Sequence, residues 1–106
     1  MCLMNCSRND VVLLPIPFSD LTSRKVRPAI VIGRNGEDLF LVPISSVLAN
    51  TDFSLKEWRA AGLNVPCGVK AQLATVEEKL VVKITGKLSS ADLQLLDQRL
   101  RNWLKL

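Results

Sequence analysis

The sequence predicts a mainly β chain closed by one C-terminal helix, its strands forming a small, curved antiparallel sheet. Three observations carry this. Short apolar and β-branched runs follow one another between polar turns. Sustained helical periodicity is confined to the last segment. Strands do not alternate with long helices, so the sheet should be mostly antiparallel rather than a parallel α/β array. The natural architecture is a strongly curved sheet or half-barrel with a helix packed on it. At 106 residues the chain has the length of one domain. That length suffices to bury about two-thirds of its unfolded surface without disulfide staples.

Residues 1–8 read as a loose tail, followed by a single domain over residues 9–106. Val11 to Phe18 is an apolar stretch with Pro15 and Pro17 near its end. Proline cannot donate to a ladder, so this run fits an edge strand or a strand entering a loop, not a central strand. Ser19 to Lys25, with Asp20, Thr22 and Ser23, is a loop by composition. Pro28–Gly33 and Leu39–Ile44 are two further apolar runs. The five residues between them, Arg34-Asn35-Gly36-Glu37-Asp38, contain Asn-Gly and predict a β-hairpin. Leu55 to Gly62 reads as a short helical turn stopped by glycine. Val65–Val76 and Leu80–Thr85 read as two more strands about a Glu77-Glu78-Lys79 turn. In the second, Leu80, Val82 and Ile84 would share one face. Ser89-Ser90-Ala91-Asp92 caps the final helix, with an acid in the first turn where the helix dipole favours it. Leu93, Leu96, Leu100 and Trp103 form one apolar stripe, widened by Leu95 and Leu104. Such a stripe packs on a sheet or forms a dimer contact.

Composition narrows the chemistry. With 48% hydrophobic and 23% charged residues the chain is globular rather than disordered. No apolar run approaches the ~20 residues of a membrane span. Met1 to Asp10 carries Arg8, no apolar core and no small-residue cleavage site, so it does not read as a signal peptide, and a cytoplasmic location is expected. There is no histidine and no tyrosine, which removes Ser-His and Cys-His nucleophilic systems and the usual zinc ligand. The three cysteines, Cys2, Cys6 and Cys67, are an odd count without a second ligand pair. They predict neither a disulfide framework nor a metal site, and no cofactor is expected. Cys67, among apolar residues, reads as a small buried side chain. Net charge is +4, from 14 basic and 10 acidic residues, which permits a polyanionic partner.

The charge is unevenly placed. Residues 24–34 hold Arg24, Lys25, Arg27 and Arg34 and no acid. Arg27 precedes Pro28, and a residue before proline is pushed toward an extended backbone, which suits an arginine displayed at a strand entry. Such an arginine can fork two donors onto a phosphate. On local evidence alone it reads first as a solvated loop arginine or one paired with Asp20. Ser45 and Ser46 end the hairpin, where hydroxyls can donate to a phosphate or simply close a turn. Phe18 can stack on a base or belong to the core. Trp58 and Trp103 read as packing residues.

Taken in order, these pieces resemble the PemK/MazF-like toxins. The opening is Asp10-Val-Val-Leu-Leu-Pro-Ile-Pro-Phe-Ser-Asp-Leu21, followed by Lys25-Val-Arg-Pro-Ala-Ile-Val-Ile32 and Leu41-Val-Pro-Ile-Ser-Ser46. Ala61-Gly-Leu63 with Pro66, then Gly86-Lys-Leu-Ser89 before the last helix, complete the set over residues 9–106. The resemblance implies an SH3-like barrel of the PemK/MazF/CcdB type. It also implies a toxin of a toxin-antitoxin system that acts as a metal-independent, sequence-selective endoribonuclease on single-stranded RNA. By the same resemblance the 2′-hydroxyl would attack the adjacent phosphate and leave a 2′,3′-cyclic phosphate. An acidic antitoxin and a homodimer are the implied partners. Arg27 falls on the family's catalytic arginine and Ser45 on its catalytic hydroxyl. Phe18, Arg24, Lys25, Ser46, Lys70 and Gln72 are the candidate RNA contacts. The sequence departs from the family where some members carry an arginine and an acid and this chain has Lys70 and Gln72. It also lacks a first-loop histidine, and Asn9 stands where a glycine is common. Gln72 cannot take a proton, so the general base stays open. Two other readings accompany the enzyme: a non-catalytic nucleic-acid-binding module of the same fold, and a toxin that binds a protein target such as gyrase.

Overall fold

A computed structural model describes residues 5–15 and 25–106. Its strands are β1 (Asp10–Pro15), β2 (Val26–Asn35), β3 (Asp38–Ser45), β4 (Phe53–Ser54), β5 (Gly68–Val69), β6 (Ala74–Glu77) and β7 (Lys83–Lys87), followed by helix α1 (Ser90–Leu104). The strand order is β4-β5-β3-β2-β1-β7, with β6 also paired to β3, and every pairing is antiparallel. This is the curved antiparallel sheet with a C-terminal helix that the sequence predicts. Among the described residues the sheet is not closed into the barrel that the resemblance implies.

The three central strands are apolar on both faces, and the alternation sorts their side chains into two cores. Val11, Ile30, Val42 and Ile44 face one side, where Leu96 and Leu100 of α1 and residues of the 53–67 segment cover them. Val12, Leu14, Ala29, Val31, Leu39 and Leu41 face the other, closed by Cys6, Val76 and Val81 as the sheet curls over itself. Burial on both faces explains why these strands read as nearly continuous apolar runs. Trp58 and Trp103 pack against the first core, as expected.

The hairpin β2–β3 is present, but its connection is tighter than the five-residue loop expected. Asn35 pairs with Asp38, leaving a two-residue turn of Gly36 and Glu37. Gly36 has φ 63°. A positive φ at the first central residue alone fits the type II′ geometry, whose twist matches the strands. Farther along, the register shifts between Val31 and Gly33, a β-bulge at Ile32. β1 is flanked by β2 and β7, so it is not an edge strand. Pro15 lies at its end, past the last β7 pair at Leu13, where no ladder donor is needed. This is the strand-into-loop reading. Ile16 to Phe18 lie outside the described residues.

Other expectations are corrected. The glycine-stopped turn expected over Leu55–Gly62 is confined to its end, residues 58–62, and is not part of a longer helix. It is a turn in which the Leu63 N–H donates to Trp58 O (3.1 Å) and the Gly62 N–H to Arg59 O (3.0 Å). That paired closure is a Schellman motif on a single turn, with Gly62 at φ 82°. The glycine stop is real, but no helix precedes it. The single strand expected over Val65–Val76 is two short strands, β5 and β6, paired to different ends of β3. Leu80 and Val82 are exposed, and Val81 is buried in their place. Glu78–Leu80 is a 3₁₀ turn that rotates the chain before β7 begins. In α1, Ser89 Oγ accepts from the Asp92 N–H (3.2 Å), as a cap should, and the stripe of Leu96 and Leu100 is buried. Leu104 does not widen the apolar face and is exposed.

The looseness expected before residue 9 does not hold at Cys6, which is buried. Arg34 forks onto Glu78 (2.8 and 3.0 Å) and also donates to the Cys6 and Gly36 carbonyls, while the Cys6 N–H donates to Glu78 (2.9 Å). One guanidinium thus ties together the hairpin turn, the 3₁₀ turn and the N-terminal segment. Burial, reinforced by the nearby Glu78 carboxylate, pushes the Cys6 thiol up to about 11, so it stays protonated. The Arg34 hydrogen bonds hold the Glu78 carboxyl below its ordinary value of 4.5. The charged form is favoured in the fold, so this contribution to stability is fully present above about pH 4.5 and is lost as pH falls through the lower folded value. Glu78→Gln is therefore expected to melt below the wild type at neutral pH, with the gap closing on acidification. A gap independent of pH would exclude this clamp as a charge effect.

Candidate functional site

Arg27 and Ser45 sit two residues beyond the Ala29–Pro43 pair, on β2 and β3 respectively. The antiparallel ladder therefore brings the strand entry of one and the strand exit of the other to the same end of the sheet. There they line one cleft of about 330 Å³ together with Ser46, Leu13, Asn64 and Thr85. The other described residues on its walls are Val26, Pro28, Ile44, Val47, Gly62, Leu63, Val65 and Cys67. The volume is at the small end of ligand-binding clefts.

The Arg27 side chain is exposed, and no ion pair to it is present among the described residues. Asp20, the partner considered from sequence, lies outside the described residues, as do Phe18 and Arg24. Ser45 Oγ accepts from the Val47 N–H (3.0 Å). This is the turn role the sequence allowed. It leaves the hydroxyl proton free to donate, because the bond uses an oxygen lone pair and not the O–H. Of the described residues lining the cleft, only Arg27 and Cys67 are titratable, and no carboxylate is among them. Burial raises the Cys67 thiol, and its Sγ donates to Val65 O (3.2 Å). It is therefore a neutral, occupied donor and a poor base.

Lys25 is exposed one residue before β2. Lys70 follows β5, with its N–H on Pro43 O (2.9 Å), and Gln72 is exposed beyond it; neither lines the cleft. The structure thus gathers Arg27, Ser45 and Ser46 and leaves Lys70 and Gln72 outside. It adds Asn64 and Thr85, which no motif in the sequence marks. Thr85 Oγ1 donates toward Ala61 O (2.9 Å) and Val11 O (3.2 Å), joining β7 to the 61–65 segment and β1. Gly62 lies so close to this strand that a Cβ would overlap the Thr85 carbonyl oxygen, and on Gly86 a Cβ would stand 2.7 Å from the Ala61 carbonyl carbon. Two glycines, one on each side, let the backbones touch and fix that wall of the cleft.

Residues 7–104 match the family described as the PemK-like, MazF-like toxin of type II toxin-antitoxin systems, and the chain belongs to this family. Among solved structures it is similar in fold to one described as an endoribonuclease in complex with its cognate antitoxin from a mycobacterial species. The TM-score is 0.70 at 16% identity, over 97% of each chain. No curated protein matches in sequence. Among the described residues no helix is long and apolar enough to cross a membrane.

Proposed function

We propose that this toxin is a metal-independent, sequence-selective endoribonuclease acting on single-stranded RNA, with residues 9–106 working as one domain in the cytoplasm. The observation that carries the reading is the convergence of Arg27 and Ser45 on one cleft. In the proposed reaction the ribose 2′-oxygen attacks the adjacent phosphorus and its proton leaves to an acceptor. The P–O5′ bond then breaks and O5′ takes a proton. The products are a 2′,3′-cyclic phosphate and a 5′-hydroxyl. Negative charge grows on the phosphoryl oxygens in the transition state. Arg27 supplies a planar pair of donors for it, and the free Ser45 proton supplies another. Ser46 adds a second hydroxyl to the same cleft, and Lys25 stands two residues before Arg27 in the chain. The part proposed for Arg27 and Ser45 is thus charge stabilisation and not proton abstraction.

An acidic antitoxin segment is the proposed protein partner. The net charge of +4 and the Arg27 cleft favour it, and the structural neighbour is described in complex with its antitoxin. A homodimer is the proposed assembly. The test is incubation of the purified protein with a long single-stranded RNA in EDTA, with fragment ends mapped by primer extension and tested for phosphorylation without prior phosphatase. Discrete cuts bearing 5′-hydroxyls are expected. Intact RNA from folded protein would replace this reading with a non-catalytic nucleic-acid-binding module, and cuts that vanish in EDTA would refute metal independence.

A further inference from the structure

The proposed chemistry uses Arg27 and Ser45 and leaves the 62–65 wall of the cleft without a task. Most of what surrounds it is apolar. Val26, Val47 and Val65 all line the cleft and are about half exposed (47%, 55% and 49%), an unusual grouping for solvent-facing valines. Among the described lining residues, Asn64 carries the only carboxamide. It is exposed, and its amide has no hydrogen-bond partner among the described residues.

The backbone that presents Asn64 is nevertheless fixed. The Schellman closure holds Gly62 and Leu63, and Thr85 Oγ1 and the Cys67 thiol hold the carbonyls of Ala61 and Val65. A side chain on a fixed backbone, with free hydrogen-bonding groups and apolar neighbours, suits recognition better than solvation. An amide offers one donor and one acceptor side by side, which is the pattern needed for two bonds to a nucleobase edge. Valine side chains suit the ring faces. Single-stranded RNA can present its bases this way, because they are free to splay out of a stack.

We infer that Asn64 reads one base of the RNA at a fixed position beside the cleaved bond, with the exposed valines against its ring; this rests on the ribonuclease function proposed above. Asn64 is then a determinant of specificity and not of the chemical step.

The experiment cleaves a randomised single-stranded RNA pool with wild type, Asn64→Ala and Asn64→Asp, and sequences the ends. Asn64→Ala is expected to flatten base preference at one position by on the order of tenfold, leaving the preference at the other positions intact. Asn64→Asp, nearly isosteric, is expected to move that position toward guanine, whose Watson–Crick edge offers two N–H donors to a carboxylate. Circular dichroism checks that both variants are folded. Unchanged preference at every position would overturn the inference and leave the ribonuclease standing. A uniform loss of rate with no positional change would overturn it too, as the mark of a structural role. RNA left intact by the wild type would overturn the function and this assignment with it.

Discussion

Arg27→Ala is expected to lower RNA cleavage by a factor on the order of 10²–10³ while the protein stays folded. The two halves of this prediction have separate grounds. Arg27 is exposed at the start of β2, and none of the described residues forms an ion pair with it, so its removal leaves no buried group without a partner. The melting temperature should hardly change. The loss of rate follows from charge. Arg27 is the only cation among the described lining residues, so under the proposed chemistry none of them replaces the guanidinium opposite the developing charge. Arg27→Lys retains a point charge but loses the fork, and an intermediate rate is expected. Ser45→Ala removes one neutral donor and should cost less than Arg27→Ala. It also releases the Val47 N–H, which is exposed and can bond water instead. Cleavage by Arg27→Ala within about threefold of wild type would remove Arg27 from the site.

The pairing of Arg27 with Ser45 shows how far the sequence alone can reach. Both residues stand out in the sequence as a pre-proline arginine at a strand entry and a hydroxyl at a strand exit. Which hydroxyl shares the end of the ladder with Arg27 depends on register. From the turn, Asn35 pairs with Asp38 and Gly33 with Phe40, and continuing that register would set Ser46 across from Arg27. The bulge at Ile32 absorbs one residue of β2, so the pairs become Val31–Leu41 and Ala29–Pro43, and Ser45 takes the place. Nothing in Val31-Ile32-Gly33 announces a bulge except the glycine. The resemblance to the family points to Ser45, whereas local periodicity does not distinguish it from Ser46.

The rest of the cleft is illegible in the sequence for a different reason. Asn64 and Thr85 are far from β2 in sequence and reach the site through contacts between backbones. Thr85 looks like an ordinary β residue until Gly62 and Gly86 bring the 61–65 segment against it. The exposed side of the chain entering β7 defeats alternation because Leu80-Val81-Val82 is apolar throughout. Periodicity cannot say which member of such a run goes inside, and the 3₁₀ turn over Glu78–Leu80 makes the choice. The hairpin, the glycine stop and the capped helix are legible because each has its own local chemistry: Asn-Gly, Gly62 and Ser89.

Asp92→Ala is expected to destabilise the fold by about 3 kcal/mol, lowering the melting temperature by roughly 12–24 °C in a domain of this size. The sequence presents Asp92 as a first-turn acid, worth only a few tenths of a kcal/mol to about 1 through the helix dipole. The structure gives it more to do. Its side chain is fully buried (0% exposed). One carboxylate oxygen accepts from the Lys56 N–H (2.8 Å) and the other from the Glu57 N–H (2.9 Å). These are charge-assisted bonds to backbone 36 and 35 residues away, so the carboxylate pins the start of the 55–63 turn to the N-terminus of α1. Alanine would leave a void and two donors unpaired. Asp92→Asn would be little better, since an amide presents one oxygen and turns its NH₂ toward the second donor. Asp97→Ala is the control: Asp97 pairs with Arg8 (3.3 Å) and Arg101 (3.6 Å) at the surface, where such pairs contribute less than about 1 kcal/mol. Because the pinned turn continues into Gly62-Leu63-Asn64, Asp92→Ala should also blunt cleavage below its melting point, whereas Asp97→Ala should not. Thermal melts of the two variants, followed by circular dichroism, check the difference. A loss at Asp92 no larger than at Asp97 would return that carboxylate to an ordinary helix-dipole role.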